Sequence, residues 1–166
     1  VVALVAKKTV LATGGLGGLQ RGYNVLMFDG PGQQSMLFDR GIPFRFDWEA
    51  VMTPVVDALV ARDDVDADRI AAYGISQAGY WLPRALAFER RIAAAVADPG
   101  VVDVSQSWRA GIPKSEMESA QLAAMVTDAT LQPFTADEGA DYHCQPLARL
   151  LTDERMFDWL DTRLGR

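Results

Sequence analysis

Residues Arg69–Tyr80 read Arg-Ile-Ala-Ala-Tyr-Gly-Ile-Ser-Gln-Ala-Gly-Tyr, and the architecture follows from this stretch. Arg69–Ile75 is a short apolar run of strand character, and Ala78–Phe88 is apolar and compatible with a helix except at Pro83. Ser76 falls on the junction, with Gly74 two positions before it and Ala78 two positions after it. A chain that reverses direction between a strand and a helix needs small residues flanking the apex. A serine held there projects its hydroxyl out of the turn, the arrangement called a nucleophile elbow. The usual pattern has glycine where Ala78 stands, and Gly79 is next to it. A glycine-flanked structural turn is the competing reading, and the strand before and the helix after weigh against it.

Other elements extend outward from this turn. Lys8–Thr13 is a short buried strand candidate, followed by the glycine cluster Gly14, Gly15, Gly17 and Gly18. Tyr23–Phe28 is a second strand candidate and ends in Asp29-Gly-Pro-Gly32, a loop signal. Trp48, Val51, Met52, Val55, Val56, Leu59 and Val60 recur at spacings of three and four, which predicts an amphipathic helix capped by Asp47, with Pro54 inside it. Ile92–Ala97 is a further strand candidate stopped by Asp98-Pro-Gly100, and Leu131–Thr135 is read as the last strand. Asp153–Leu164 is expected as a terminal helix with Met156, Phe157, Leu160 and Leu164 inward. Strands alternating with helices imply an α/β class with a mostly parallel sheet covered on both faces.

At 166 residues, with 49% hydrophobic and 23% charged residues, one domain is expected, with residues 101–128 as a helical insertion or lid. The net charge of −6 and the scattered basic residues argue against nucleic acid as a partner. A single histidine and a single cysteine leave no set of zinc ligands and no intramolecular disulfide. The apolar run Val1–Ala6 is too short to span a bilayer and lacks the pattern of a signal peptide, so a cytoplasmic location without membrane association is expected. A chain that begins with Val1 rather than Met is read as a fragment or an incomplete gene model.

A serine hydroxyl needs a base to become a nucleophile. His143, the one histidine, lies between the last strand candidate and the terminal helix, after the serine in the order Ser, acid, His. Cys144 beside it is read as a small apolar residue. The oxyanion hole is expected from the backbone N–H of Gln77 and from Gly14 or Gly15. Tyr80 and Trp81, next to the elbow, are assigned to the substrate pocket, with core packing as the alternative.

Arg21–Gln33, the elbow Gly74–Trp81, Ala97–Asp103 and Glu138–Cys144 with Phe157–Leu160 resemble the FrsA-like α/β hydrolases. That group includes 2,6-dihydroxypseudooxynicotine hydrolase and fungal heptaketide-shortening pigment enzymes. The resemblance implies an α/β-hydrolase fold, shortened relative to the family. It also implies hydrolysis of an ester, or of a carbon–carbon bond adjacent to a carbonyl, in a small-molecule substrate, with no metal or organic cofactor.

The chain departs from the family in two places. Only Gly14–Gly22 separate the first two strand candidates, although parallel neighbours need a crossover of about a dozen residues. With Leu122–Asp128 as the penultimate strand, almost nothing separates it from Leu131, where the family places its acid and a helix. The acid is therefore assigned to Asp128, with Asp98 as the alternative and Asp137 and Asp141 as loop candidates. The competing function is an inactive, truncated hydrolase domain acting as a scaffold, and an unpaired sheet edge favours a homodimer.

Overall fold

A computed structural model describes residues 2–4, 18, 21–104, 128–140, 144–145 and 147–165. The strand expected at Lys8–Thr13, Gly14 and Gly15, Asp141, His143 and most of the expected insertion lie outside them. The described sheet has four strands: β1 (Val2–Leu4), β2 (Leu26–Phe28), β3 (Ala71–Ile75) and β4 (Ala94–Asp98), in the order β2-β1-β3-β4. β3 and β4 are parallel, whereas β1 is antiparallel to both β2 and β3. The sheet is thus mixed, with three strands running one way and β1 against them. Three of the four described strands keep the mostly parallel reading, and Val2–Leu4, which the sequence gave no strand role, supplies the one that runs against them.

The α-helices among the described residues are α1 (Gln34–Phe38), α2 (Glu49–Val60), α3 (Ala78–Leu86) and α4 (Arg149–Arg163). Successive residues of a strand face opposite sides of the sheet, and β3 uses this alternation to hold one helix on each face. A Cβ built on Gly74 would meet the Ala78 carbonyl oxygen at 2.4 Å and Leu82 Cβ at 3.2 Å, so this residue faces α3. Tyr73, one residue earlier, reaches Arg149 of α4 on the other side. α2 packs against α3 and buries Met52, Val56 and Leu59, the face that the spacing predicted, with Trp48 just ahead of it.

The helix start differs from the expectation in one respect. Asp47 does not cap α2 with its side chain, because Arg45 takes both carboxylate oxygens at 2.7 Å. Its carbonyl instead accepts the Ala50 N–H. α2 runs through Pro54 and forgoes one backbone hydrogen bond there.

Pro83 has a structural consequence in α3. It has no N–H for the carbonyl four residues back, and that Gly79 carbonyl accepts the Val101 N–H at 3.2 Å instead. The start of α3 is thereby stitched to the loop after β4. α4 starts four residues earlier than expected, and Met156, Phe157, Leu160 and Leu164 are buried as the pattern required. Tyr23 packs its ring against Phe157 at 5.7 Å and donates its hydroxyl to Asp161. Leu131–Thr135 forms no strand: Leu131 is exposed, Pro133 has no N–H for a ladder, and Thr135 opens the short turn Ala136–Glu138 through a capping box with Glu138.

Candidate active site

The turn between β3 and α3 carries the local feature that the sequence anticipated. Ser76 has φ +58°, a left-handed conformation that a residue with a Cβ seldom adopts. Its N–H donates to the Asp98 carbonyl at 2.7 Å, and its own carbonyl accepts the Gly79 N–H at 2.8 Å. The reversal is tight on both flanks. Gly74 has no room for a side chain beneath the Ala78 carbonyl, and a Cβ on Gly79 would sit 1.8 Å from the Pro99 carbonyl oxygen. Glycine is required at Gly79, one position beyond the usual place, and Ala78 is accommodated as a buried methyl. Gln77 lies just ahead of α3 in helical conformation, where backbone N–H groups lack intrahelical acceptors.

Asp98 ends β4 directly beside the elbow, in register with Ile75. It is 8% exposed, and its Oδ2 accepts the Tyr73 hydroxyl at 2.7 Å. Arg149, from the first turn of α4, donates to the Tyr73 oxygen at 2.7 Å and to Asp153 at 2.8 Å, and its Nη1 lies 3.7 Å from Asp98 Oδ2. Burial, with Asp98 beside it, holds the Tyr73 phenol far above its ordinary pKa, so it is neutral and a donor throughout the accessible range. Burial also raises the Asp153 carboxyl.

Cys144, the residue after His143, sits in the same place. Its thiol lies 3.9 Å from the Asp98 carbonyl oxygen and within hydrogen-bonding reach of Ser76. Burial, reinforced by the Asp98 charge, pushes the thiol up to about 11. At neutral pH it is protonated and a poor nucleophile. Cys144 and Gln145 both have positive φ, at +59° and +43°.

The candidate residues thus divide. The structure brings Ser76, Gln77, Asp98 and Cys144 together. Asp128 lies elsewhere: it forms a bidentate ion pair with Arg163, with its side chain 72% exposed. Arg163 ends the helix that Arg149 begins, and fourteen residues at about 1.5 Å each separate them by roughly 20 Å. Asp137 is exposed.

Trp81, expected in a substrate pocket, is 4% exposed and stacks on Trp48 at 4.3 Å and 8°, with Phe44 at 5.5 Å. It is a core residue, whereas Tyr80 is half-buried. Tyr73 and Arg149 were not singled out from sequence. The tyrosine three residues before the serine was the available signal for the first. Nothing local marks Arg149 as a partner of Tyr73, which lies 76 positions away on another element.

Among the described residues no group of three or more His, Cys, Asp or Glu side chains is placed to hold a metal ion. Among the same residues no helix is long and apolar enough to cross a membrane.

Comparison with known proteins places the chain beside hydrolases. It is 38% identical over 104 residues to the hydrolase LUC6 of a Fusarium species, covering 60% of this chain and 25% of that protein. Identity, length and coverage are the same for the 20-hydroxy-prefusarin hydrolase FUS2 of Gibberella moniliformis. The alpha/beta hydrolase psoB of Aspergillus fumigatus is 41% identical over 90 residues, covering 51% of this chain and 20% of that protein. The chain spans about a quarter of the length of the curated relatives it matches. No family model matches it. These likenesses support a hydrolase family, and a small sheet with helices on both faces is consistent with the alpha/beta name.

Proposed function

We propose that this chain carries a serine hydrolase site that cleaves an ester, or a carbon–carbon bond adjacent to a carbonyl, through an acyl-enzyme. The observation that carries the reading is the left-handed Ser76 at the β3–α3 turn. Such strain, of order 1–3 kcal/mol, persists only where the surroundings over-determine it, and it clusters at functional sites.

In this reading His143 takes the Ser76 proton as Oγ bonds to the carbonyl carbon. The oxyanion is held by the Gln77 N–H and by an N–H from Gly14 or Gly15. Collapse expels the alcohol or the carbon leaving group, which receives the proton from His143. Water then attacks the acyl group, loses its proton to His143, and the acid departs as Ser76 regains its hydrogen. The position of Cys144 against Ser76 supports His143, its chain neighbour, as the base. Half-buried Tyr80, after the elbow, is retained for the substrate side, and Trp81 is not.

Asp98 is the acid this reading favours over Asp128, because it ends the strand beside the elbow while Asp128 is held by Arg163 at the far end of α4. An acid that fixes the histidine tautomer is worth about 10⁴-fold in rate in a serine protease. Asp98→Asn is therefore expected to lower kcat for a p-nitrophenyl ester by about 10³–10⁴-fold, and Asp128→Asn to leave it within about twofold. The reverse ranking would refute the assignment, and turnover that does not depend on Ser76 would refute the reaction.

A further inference from the structure

The buried polar group beneath the elbow has a direction built into it. A guanidinium can donate hydrogen bonds and cannot accept them. The Tyr73 oxygen, which receives the Arg149 donor at 2.7 Å, therefore has its single proton left for one acceptor, and Asp98 Oδ2 is 2.7 Å away. The order Arg149 to Tyr73 to Asp98 is fixed by donor chemistry rather than by side-chain preference. Among the described residues the Tyr73 hydroxyl and the Arg149 cation, at 3.7 Å, both meet the carboxylate at Oδ2. Arg149 itself is pinned, by Asp153 one helical turn away at 2.8 Å and by the Tyr73 ring 5.6 Å beneath it.

We infer that Arg149 is a positioning residue that acts through Tyr73 to fix the Asp98 carboxylate beside Ser76 and Cys144 at the elbow. The inference rests on the serine hydrolase reading above and adds to it a residue 73 positions from the nucleophile. The chain places the groups suitably for such a role. Tyr73 stands three residues before the serine on β3, Asp98 ends the neighbouring strand, and Arg149 opens the helix that follows the loop of Cys144. The three elements that meet at the elbow are thus joined by one hydrogen-bond chain. It occupies the face of the sheet opposite α3, where a carboxylate with no partners would be costly to bury.

The test is hydrolysis of a p-nitrophenyl ester by the full chain, with kcat and KM separated and the unfolding midpoint recorded for each variant. Arg149→Met keeps the aliphatic bulk and removes the donors; it is expected to lower kcat about 10- to 100-fold with KM within about threefold. Tyr73→Phe, which removes one oxygen and keeps the ring, is expected to give a loss of the same size. Arg149→Lys, which keeps the charge, is expected to recover part of it. The decisive comparison is the double variant Asp98→Asn with Arg149→Met. If Arg149 works through Asp98, the double variant is no slower than Asp98→Asn alone.

Multiplying losses in the double variant would overturn the inference and assign Arg149 to packing. So would a Tyr73→Phe variant with wild-type kcat, which needs no folding of the arginine variant to be read. A wild-type chain that turns over the ester with Ser76→Ala unaffected would instead overturn the hydrolase reading, and this inference with it. Activity that depends on Ser76 and Asp98 but not on Arg149 would sink the inference alone.

Discussion

Ser76→Ala is expected to reduce ester turnover by about 10⁶-fold, the scale on which removal of a serine nucleophile acts, while the circular dichroism spectrum stays that of the parent. The hydroxyl alone is lost; the Cβ, the left-handed backbone and the hydrogen bond from the Ser76 N–H to Asp98 at 2.7 Å are kept. Ser76→Gly provides the companion result. Glycine adopts φ +58° without a side-chain penalty, so this variant is expected to be inactive and yet more stable by about 1 kcal/mol. A stabilising change at an inactivated position is the signature of strain held for function. Equal turnover in the alanine variant would remove Ser76 from the chemistry. A glycine variant less stable than the parent would remove strain from the account.

The second large effect falls on Gly79, behind the serine turn. A Cβ on Gly79 would lie 1.8 Å from the Pro99 carbonyl oxygen and 3.0 Å from its carbon. Both are backbone atoms, so no side-chain rotation relieves the clash. The same glycine gives its N–H to Ser76 and receives the Val101 N–H, so the elbow and the loop after β4 must shift together. Gly79→Ala is therefore expected to cost about 3 kcal/mol in chemical denaturation, the upper part of the range for overpacking. Gly139→Ala is the comparison: Gly139, unlike Gly79, has positive φ, at +70°, but nothing stands within 4 Å of its Cβ position. There only the left-handed penalty of about 1–2 kcal/mol applies. Equal losses at the two sites would show that the Pro99 contact is looser than drawn.

The strand, the serine turn and the helix after it were legible because each depends on neighbours in sequence: an apolar run, flanking small residues, a periodic face. The inward side of α4 was legible for the same reason. Leu131–Thr135 failed because apolar residues beside a proline look like a strand until a ladder partner is sought. Trp81 was misplaced by its nearness to Ser76, although the spacing of Ala78, Trp81, Leu82 and Ala85 marks one buried helix face. Asp128 was favoured by chain order, and its actual partner, Arg163, lies 35 residues away. The Arg149–Tyr73–Asp98 chain had no local signature, since three separate elements supply it. Long-range pairing between polar groups is what a one-dimensional pattern carries least well.

Everything proposed for this site depends on Ser76 being an activated nucleophile. Exposure of the purified chain to a fluorophosphonate probe, with the adduct mapped by mass spectrometry, tests it most directly. One phosphonylated residue is expected, Ser76, with no adduct in folded Ser76→Ala or His143→Ala chains. A folded chain that takes up no probe, or one labelled elsewhere with Ser76 unmodified, would contradict it.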